Sequence, residues 1–305
     1  MVRDLRRDED HARAAMDVVA HVAADAILLL DVDRDAGGAD VAALRAALAA
    51  RELDYAHAVA LPVNAGIPTG RDLDGDGTAH EARDAKGYGR FTGDGGMVLL
   101  SRWPVAAESF TDVPWDHALA PPGAGVPVPT VAQWVVTLDG PWGPVTWVTL
   151  AAGTPVFDGP EDRNGLRNRD ELALAARLVD AAPGPVVAIG RTNVDPRDGQ
   201  GRRDGLMLLT DHPRLRDPAP RGAGGGGAGH AGDPALDTAD WEGPGPLRVD
   251  MALVDRSLRV RDAGVVWPVE GPLAETVAAA GPGRAVWVDL LAAARGDLAE
   301  AGDGG

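Results

Sequence analysis

At 305 residues the chain is long enough for one large domain or two modest ones, and its net charge of −17 argues against tight, non-specific nucleic-acid binding, which needs phosphate-neutralising Lys and Arg. A small phosphorylated ligand, a protein partner and divalent cations stay open. Cysteine is absent, which excludes disulfides, thiolate metal sites and a thiol nucleophile. The charge-dense stretch Met1 to Arg13 does not read as a secretory signal, and no apolar run is long enough to span a bilayer.

In chain order, Asp10 to Ala24 carries Ala14, Val18, Val19 and Val22 at helical spacing and predicts a first helix. Ala26 to Leu30 is a short apolar run ending in Asp31-Val32-Asp33, which suits a buried strand entering an acidic loop. Asp40 to Arg51 reads as a second amphipathic helix with Asp40 as its N-cap. Tyr55 to Leu61 is the next strand.

Pro62 to Gly95 is a long Gly- and Asp-rich excursion, and loops of that length in a compact domain are commonly functional. Gly96 to Ser101 is a strand. Val131 to Leu138 and Val145 to Leu150 form a hairpin across Asp139-Gly140. After a loop from Thr154 to Gly165 comes a helix from about Asn168 to Ala182. A buried strand, Val186 to Ile189, ends at Gly190-Arg191-Thr192-Asn193.

A short helix near Asp204 to Leu209 precedes a loop, Asp217 to Pro246, whose glycine run at Gly224 to Gly227 reads as flexible. Strands at Leu247 to Val254, Ala263 to Trp267 and Ala285 to Leu290 complete the pattern. Residues 291–305 read as a flexible tail, and 1–290 as one domain. Two β-rich stretches with interspersed helices indicate a mixed α and β sandwich. Trp134, Trp147, Trp267 and Trp287 sit in apolar stretches, which suggests core filling.

The order of RDLDGDG, GYGRF, GMVLLSRWP, TPVFDGPEDRNG, GDPALDTADW, LRVD and VWVDL resembles a secreted bacterial subgroup of the endonuclease/exonuclease/phosphatase superfamily, across roughly Asp10 to Leu290. The resemblance implies an α+β fold, a four-layer αββα sandwich, and cleavage of phosphate esters with Mg²⁺. It also implies a first strand, carrying an Asn, for which this chain has no counterpart. Export is implied if translation starts upstream.

Under the same resemblance, the metal-binding Glu falls on Asp31 and its neighbouring Asn on Leu30. One His falls on Ala151, and the closing Asp-His pair on Pro282 and Gly283. The GDxN motif reads Gly190-Arg191-Thr192-Asn193, so the Asp has become Arg191 while Asn193 remains. Asp250 matches the carboxylate that orients a His. Losing a general base costs ~10²–10⁴ in rate, and losing a preorganised donor ~10²–10³. The expectation is therefore an inactive or strongly impaired homologue. The alternatives are a weak metal-dependent phosphodiesterase using Asp31, Asn193 and Asp250, and a calcium-stabilised binding module.

Two local arrangements stay open in the sequence. Arg191 either fills the centre and pairs with Asp31 or Asp250, or turns to solvent. Asp72, Asp74 and Asp76 before Gly77 have the D-x-D-G-D-G spacing of a Ca²⁺ loop, but the twelfth position is Arg83, so a polar turn fits as well. The histidines show no HxH or HExxH spacing; His11 and His21 read as surface residues of the first helix and His230 as loop packing, and a histidine such as His57 or His230 reaching the cleft beside a magnesium ion would overturn the inactive reading.

Overall fold

The computed structural model describes residues 9–120 and 125–291. In chain order the elements are α1 (Asp10–Val22), β1 (Ala26–Val32), α2 (Ala39–Ala49), β2 (His57–Val59), β3 (Gly96–Ser101), β4 (Val105–Ser109), β5 (Ala132–Gly140), β6 (Gly143–Ala151) and α3 (Arg163–Ala181). There follow β7 (Val186–Arg191), α4 (Arg203–Thr210), β8 (Leu215–Arg216), β9 (Ala239–Trp241), β10 (Gly245–Leu247), β11 (Asp250–Asp255), β12 (Arg259–Val265), α5 (Pro272–Ala280) and β13 (Val286–Leu291). Leu291 closes the last strand, so the expected tail from 292 to 305 lies outside the described residues.

A six-stranded sheet has the order β4-β5-β6-β7-β11-β8. Only its β6–β7 pair is parallel, joined through α3; the remaining pairs are antiparallel. Opposite it lie a three-stranded sheet, β1-β3-β2, and a separate pair, β12-β13.

Alternation along the strands sorts the core into layers. On β3, Met97 and Leu99 face Trp134, Val136 and Leu138 of β5, while Val98 and Leu100 face Met16 and Val19 of α1 and Leu44 and Leu48 of α2. On the far side, Leu172, Ala175 and Val179 of α3 and Leu206 and Leu209 of α4 pack on Val148, Leu150, Ala188 and Leu253 of the six-stranded sheet. Helices therefore cover both outer faces, giving an αββα sandwich. Among the described residues no helix is long and apolar enough to cross a membrane.

Several boundaries depart from the sequence reading. The α2 cap is not Asp40 but the preceding loop: Asp35 accepts from the Ala39 amide at 2.9 Å, while buried Asp40 accepts from the Asp35 amide at 3.1 Å. Asp139 and Gly140 remain in the ladder opposite Pro144 and Gly143, so the hairpin turns at Pro141-Trp142. Helix α3 starts at Arg163, five residues before the expected Asn168, because Asp158 accepts from the Asn164 amide at 2.5 Å and offsets the weak propensity of Gly165.

The strand expected over Leu247 to Val254 is two, broken at Arg248-Val249, where the Arg248 amide donates to Asp195 at 2.6 Å and the Val249 amide to Thr238 at 3.0 Å. The strand expected over Tyr55 to Leu61 shortens to His57–Val59, and that over Ala263 to Trp267 shifts to Arg259–Val265. Part of the glycine run packs closely: a Cβ on Gly224 would meet Trp267 at 2.2 Å, and one on Gly225 the Pro234 carbonyl at 2.1 Å. Of the four tryptophans, Trp134 is fully buried, and Trp147, Trp267 and Trp287 are half-buried.

Candidate functional site

Three strand ends converge on one point. Antiparallel pairing sets Asp250, first residue of β11, directly opposite Arg191, last residue of β7. Parallel pairing sets Ala151, at the end of β6, on the other side of Arg191. Asp31 occupies an irregularity in β1 between Leu30 and Val32, with φ of 57°, which turns it out of the ladder.

The guanidinium of Arg191 joins the carboxylates. Its Nη1 donates to Asp31 Oδ2 at 2.7 Å and its Nε to Asp250 Oδ1 at 3.1 Å. The side chains are 18% exposed for Arg191, 12% for Asp250 and 70% for Asp31, so the Asp250 half of the bridge is sheltered and the Asp31 half meets solvent. The Asp250 and Asp31 carboxylates hold the guanidinium protonated above its ordinary range. Burial raises the Asp250 carboxyl above the usual carboxylate range, and Arg191 works against that rise.

Thr238 fixes Asp250 from the other side. Its hydroxyl accepts from the Asp250 amide at 2.9 Å and donates to Asp250 Oδ2 at 3.3 Å. The Trp241 ring lies 6.0 Å from the Arg191 guanidinium carbon. Gly283 lies beside the guanidinium: a Cβ built there would make ordinary contact with Arg191 Nη2 at 3.4 Å. Pro282 takes part through its carbonyl, which accepts from the Asp240 amide at 2.9 Å.

The structure thus brings Asp31, Arg191 and Asp250 together, with Leu30, Ala151 and Gly283 around them. Asn193, at φ of 55°, turns its amide away and donates to the Ala152 carbonyl at 2.7 Å. His57 pairs within β2 opposite Ser101, and His230 lies between Asp198 and Asp237, 3.5 Å from each; neither lines the cavity containing Arg191.

Sequence reasoning missed the residues that clamp this end of the sheet. Asn168 on α3 donates to the carbonyls of Gly153 at 2.7 Å and Thr192 at 2.9 Å, tying the exits of β6 and β7 together. One turn on, Glu171 accepts from the Thr130 amide at 2.5 Å and the Gly153 amide at 2.7 Å. Burial pushes the Glu171 carboxyl up to about 7 against the pull of Arg167 and those amides. The only sequence signal was two polar residues three apart on a helix face.

The aspartate loop is a second polar cluster. Ligand atoms of Asp72, Asp74 and Asp84 lie within 4.8 Å of one another, and among the described residues this is the one such acidic or histidine group. Asp76 is not in it; its carboxylate accepts from the Thr78 amide at 2.7 Å. Asp84 replaces it from a 3₁₀ turn (Ala82–Asp84), where it accepts from the Leu73 amide at 2.8 Å and the Glu81 amide at 3.0 Å. The amides of Gly77 and Gly75 lower the Asp72 carboxyl, whereas Asp76 and neighbouring carboxylates raise Glu81.

Known structures share this architecture at low identity. The chain is similar to an endonuclease/exonuclease/phosphatase from Beutenbergia cavernae, with a TM-score of 0.59 and 22% identity over 92% of this chain and 66% of that one, so it spans just under two-thirds of that protein. It is also similar to a 3′ phosphatase from Neisseria bound to product DNA hairpin (TM-score 0.54, 15% identity, 92% and 95% covered). A sphingomyelinase C from Streptomyces griseocarneus gives a TM-score of 0.50 at 17% identity, with 92% and 90% covered. No curated protein matches the chain in sequence. The model of the endonuclease/exonuclease/phosphatase family, whose members are typically dependent on a divalent metal, matches residues 3–285. On that match and the shared fold, this chain belongs to the endonuclease/exonuclease/phosphatase family.

Proposed function

We propose that this family member is a catalytically inactive or strongly impaired phosphoesterase homologue, in which a fixed guanidinium balances the carboxylates in place of a divalent cation. The observation that carries this reading is the bridge from Arg191 to Asp31 at 2.7 Å and to Asp250 at 3.1 Å. Mg²⁺ does not fit beside it. Two unit charges 4 Å apart at an effective dielectric of about 20 interact by ~4 kcal/mol, and a divalent ion facing the guanidinium would be repelled by roughly twice that. No third acidic or histidine ligand among the described residues closes on the pair.

Proton transfer lacks its groups as well. Ala151 beside Arg191 has no imidazole, and Gly283 has no side chain at all. The amide nitrogen of Asn193 is spent on the Ala152 carbonyl. Two carboxylates and one guanidinium leave the centre net negative, which disfavours a phosphate there and, with an overall charge of −17, favours a protein partner over a polyanion. Were the aspartate loop to hold an ion, its all-oxygen donors favour Ca²⁺.

Hydrolysis of bis-p-nitrophenyl phosphate with Mg²⁺, Mn²⁺ or Ca²⁺ tests the proposal. The expected rate equals the protein-free background with each ion. Metal-dependent turnover that Asp31→Ala abolishes would overturn it.

A further inference from the structure

The chain has two tyrosines and three phenylalanines. Tyr55 is buried and Phe110 packs against the core, yet Tyr88, Phe91 and Phe157 are 62%, 51% and 83% exposed. Single apolar side chains on a surface are ordinary, but these three rings are grouped. They stand on two loops, residues 87–95 and 153–162, that rim the Arg191 centre. The first ends at Gly95, where a Cβ would lie 3.9 Å from Asp31 Oδ1. The second leaves β6 two residues after Ala151, and the Ala152 amide donates to the Arg191 carbonyl at 2.9 Å. Thr130 lies between the loops: a Cβ on Gly87 would collide with its carbonyl, and one on Gly153 would meet its hydroxyl at 2.5 Å.

Both loops hold their rings on fixed backbone. Burial alternates along Gly87-Tyr88-Gly89-Arg90, with glycine inward and side chain outward. A Cβ on Gly89 would meet the Gly66 amide nitrogen at 2.6 Å, so the inward positions admit only glycine. Asp94 closes the turn behind Phe91: its carboxylate accepts from the Arg90 amide at 2.8 Å and its amide donates to the Phe91 carbonyl at 3.0 Å. Phe157 has φ of 72°, a region that bulky residues rarely enter. Asn164 holds it there from both sides, donating its Nδ2 to the Val156 carbonyl at 2.9 Å and its amide to Asp158 Oδ2 at 2.5 Å. Rings presented this way lose little freedom on binding, which suits them as anchors.

The charge around the rings is acidic. Along residues 31–35 and the two loops, Asp31, Asp35, Asp158 and Glu161 are exposed, against Arg90 as the one exposed cation. Asp31 gives its Oδ2 to Arg191 and turns its Oδ1 toward Gly95 of the first loop.

We propose that this rim docks an arginine-rich segment of a partner protein, whose guanidinium groups lie on the rings of Tyr88, Phe91 and Phe157 and pair with the carboxylates beside them. Aromatic faces attract cations. Arginine fits better than lysine, because a planar, weakly hydrated guanidinium stacks on a ring and binds a carboxylate with two parallel donors. The same carboxylates repel nucleic acid and anionic lipid. The inference rests on the reading of the centre as inactive, which leaves its mouth free of a phosphoester.

Calorimetry on the full chain tests it, with a blocked peptide of three Arg-Gly-Ser repeats as probe and salt at about 0.15 M to screen long-range attraction. The triple variant Tyr88→Ala, Phe91→Ala, Phe157→Ala keeps the charge of wild type and should bind roughly fivefold or more weakly. The triple variant Tyr88→Phe, Phe91→Tyr, Phe157→Tyr should bind as wild type does, and so should Met207→Ala with Leu208→Ala, exposed residues of α4. If the triple alanine variant melts below wild type, the three single alanine variants decide, each expected to lose about twofold. No binding by wild type overturns the proposal. So does equal binding by the alanine variants, which means that charge alone holds the peptide. Binding to phosphatidylcholine vesicles without binding to the peptide assigns the rings to a membrane and overturns it as well. Turnover of bis-p-nitrophenyl phosphate by wild type would overturn the inactive reading and this proposal with it, whereas absent peptide binding with the rate at background overturns this proposal alone.

Discussion

Asp250 and Arg191 face each other across an antiparallel strand pair, and the Arg191 Nε donates to the Asp250 carboxylate at 3.1 Å. The register of β7 against β11 imposes this meeting, so it is a property of the sheet and not of a loose surface encounter. Asp31 reaches the same guanidinium from the opposite layer, which makes Arg191 a cross-link between the two sheets.

Replacing Arg191 with Met should therefore be costly. It leaves Asp250 sheltered and without its cation, and removing one partner of a buried pair costs about 3–5 kcal/mol. Urea denaturation at pH 7 should show a fall of that size. Because burial already raises the Asp250 carboxyl, protonation should relieve the variant, and the deficit should shrink as the solution is made more acidic. A loss below about 1 kcal/mol would place this bridge with ordinary surface pairs.

The route from sequence to this centre was uneven. The acidic end of the Ala26–Val32 strand and the Gly190-Arg191-Thr192-Asn193 exit were legible, since strand ends and motif spacing both mark them. The elements missed are those whose pattern is weak locally: α5 is alanine-rich and sits between glycines and prolines, β4 has three exposed residues in five, β8 is two residues long, and β9 is three residues inside the stretch read as the Asp217 to Pro246 loop. Asn168, Glu171, Thr238 and Asp84 were not legible because each acts on backbone brought from far along the chain. Glu171, for example, accepts from Thr130, 41 residues away.

Glu171 predicts a pH effect on stability. Its carboxyl rises from an ordinary 4.5 to about 7 in the folded state. The folded chain thus binds a proton that the unfolded chain releases between these values. The contribution is complete below about 4.5 and is lost as pH rises through about 7. Denaturation free energy should fall between pH 5 and pH 7.5, and Glu171→Gln should flatten that slope. Gln has one acceptor for two amides, so the variant should also be about 1–3 kcal/mol less stable in acid. An unchanged slope in Glu171→Gln would assign the dependence to other groups.

Calcium should bind the aspartate loop weakly. Asp72 and Asp84 each accept two backbone amides, so the loop is satisfied by its own backbone, and Arg83 lies 3.8 Å from Asp74. The expected dissociation constant is in the range ~10⁻⁴–10⁻³ M of the weaker oxygen-ligand sites. Calorimetry on wild type and Asp74→Ala checks this. Micromolar affinity, lost in the variant, would mean that the loop is organised around an ion rather than around its amides.

Arg191→Asp reverses the charge argument and tests it most directly. The substitution removes the guanidinium that repels a cation and adds a third carboxylate between Asp31 and Asp250, three hard oxygen donors suited to Mn²⁺ or Mg²⁺. Without metal the variant should be less stable than wild type, because three like charges then share a partly buried centre. Mn²⁺ should restore stability, by about 1.4 kcal/mol at ten times its dissociation constant, while leaving wild type unmoved. Phosphodiester hydrolysis should nevertheless stay at background in the loaded variant, since Ala151 and Gly283 still provide no imidazole to take the proton from water. Thermal melts with and without Mn²⁺, run beside the bis-p-nitrophenyl phosphate assay, separate the two effects. Metal stabilisation without turnover locates the defect in both the cation and the bases; turnover would show that the guanidinium alone had silenced the site.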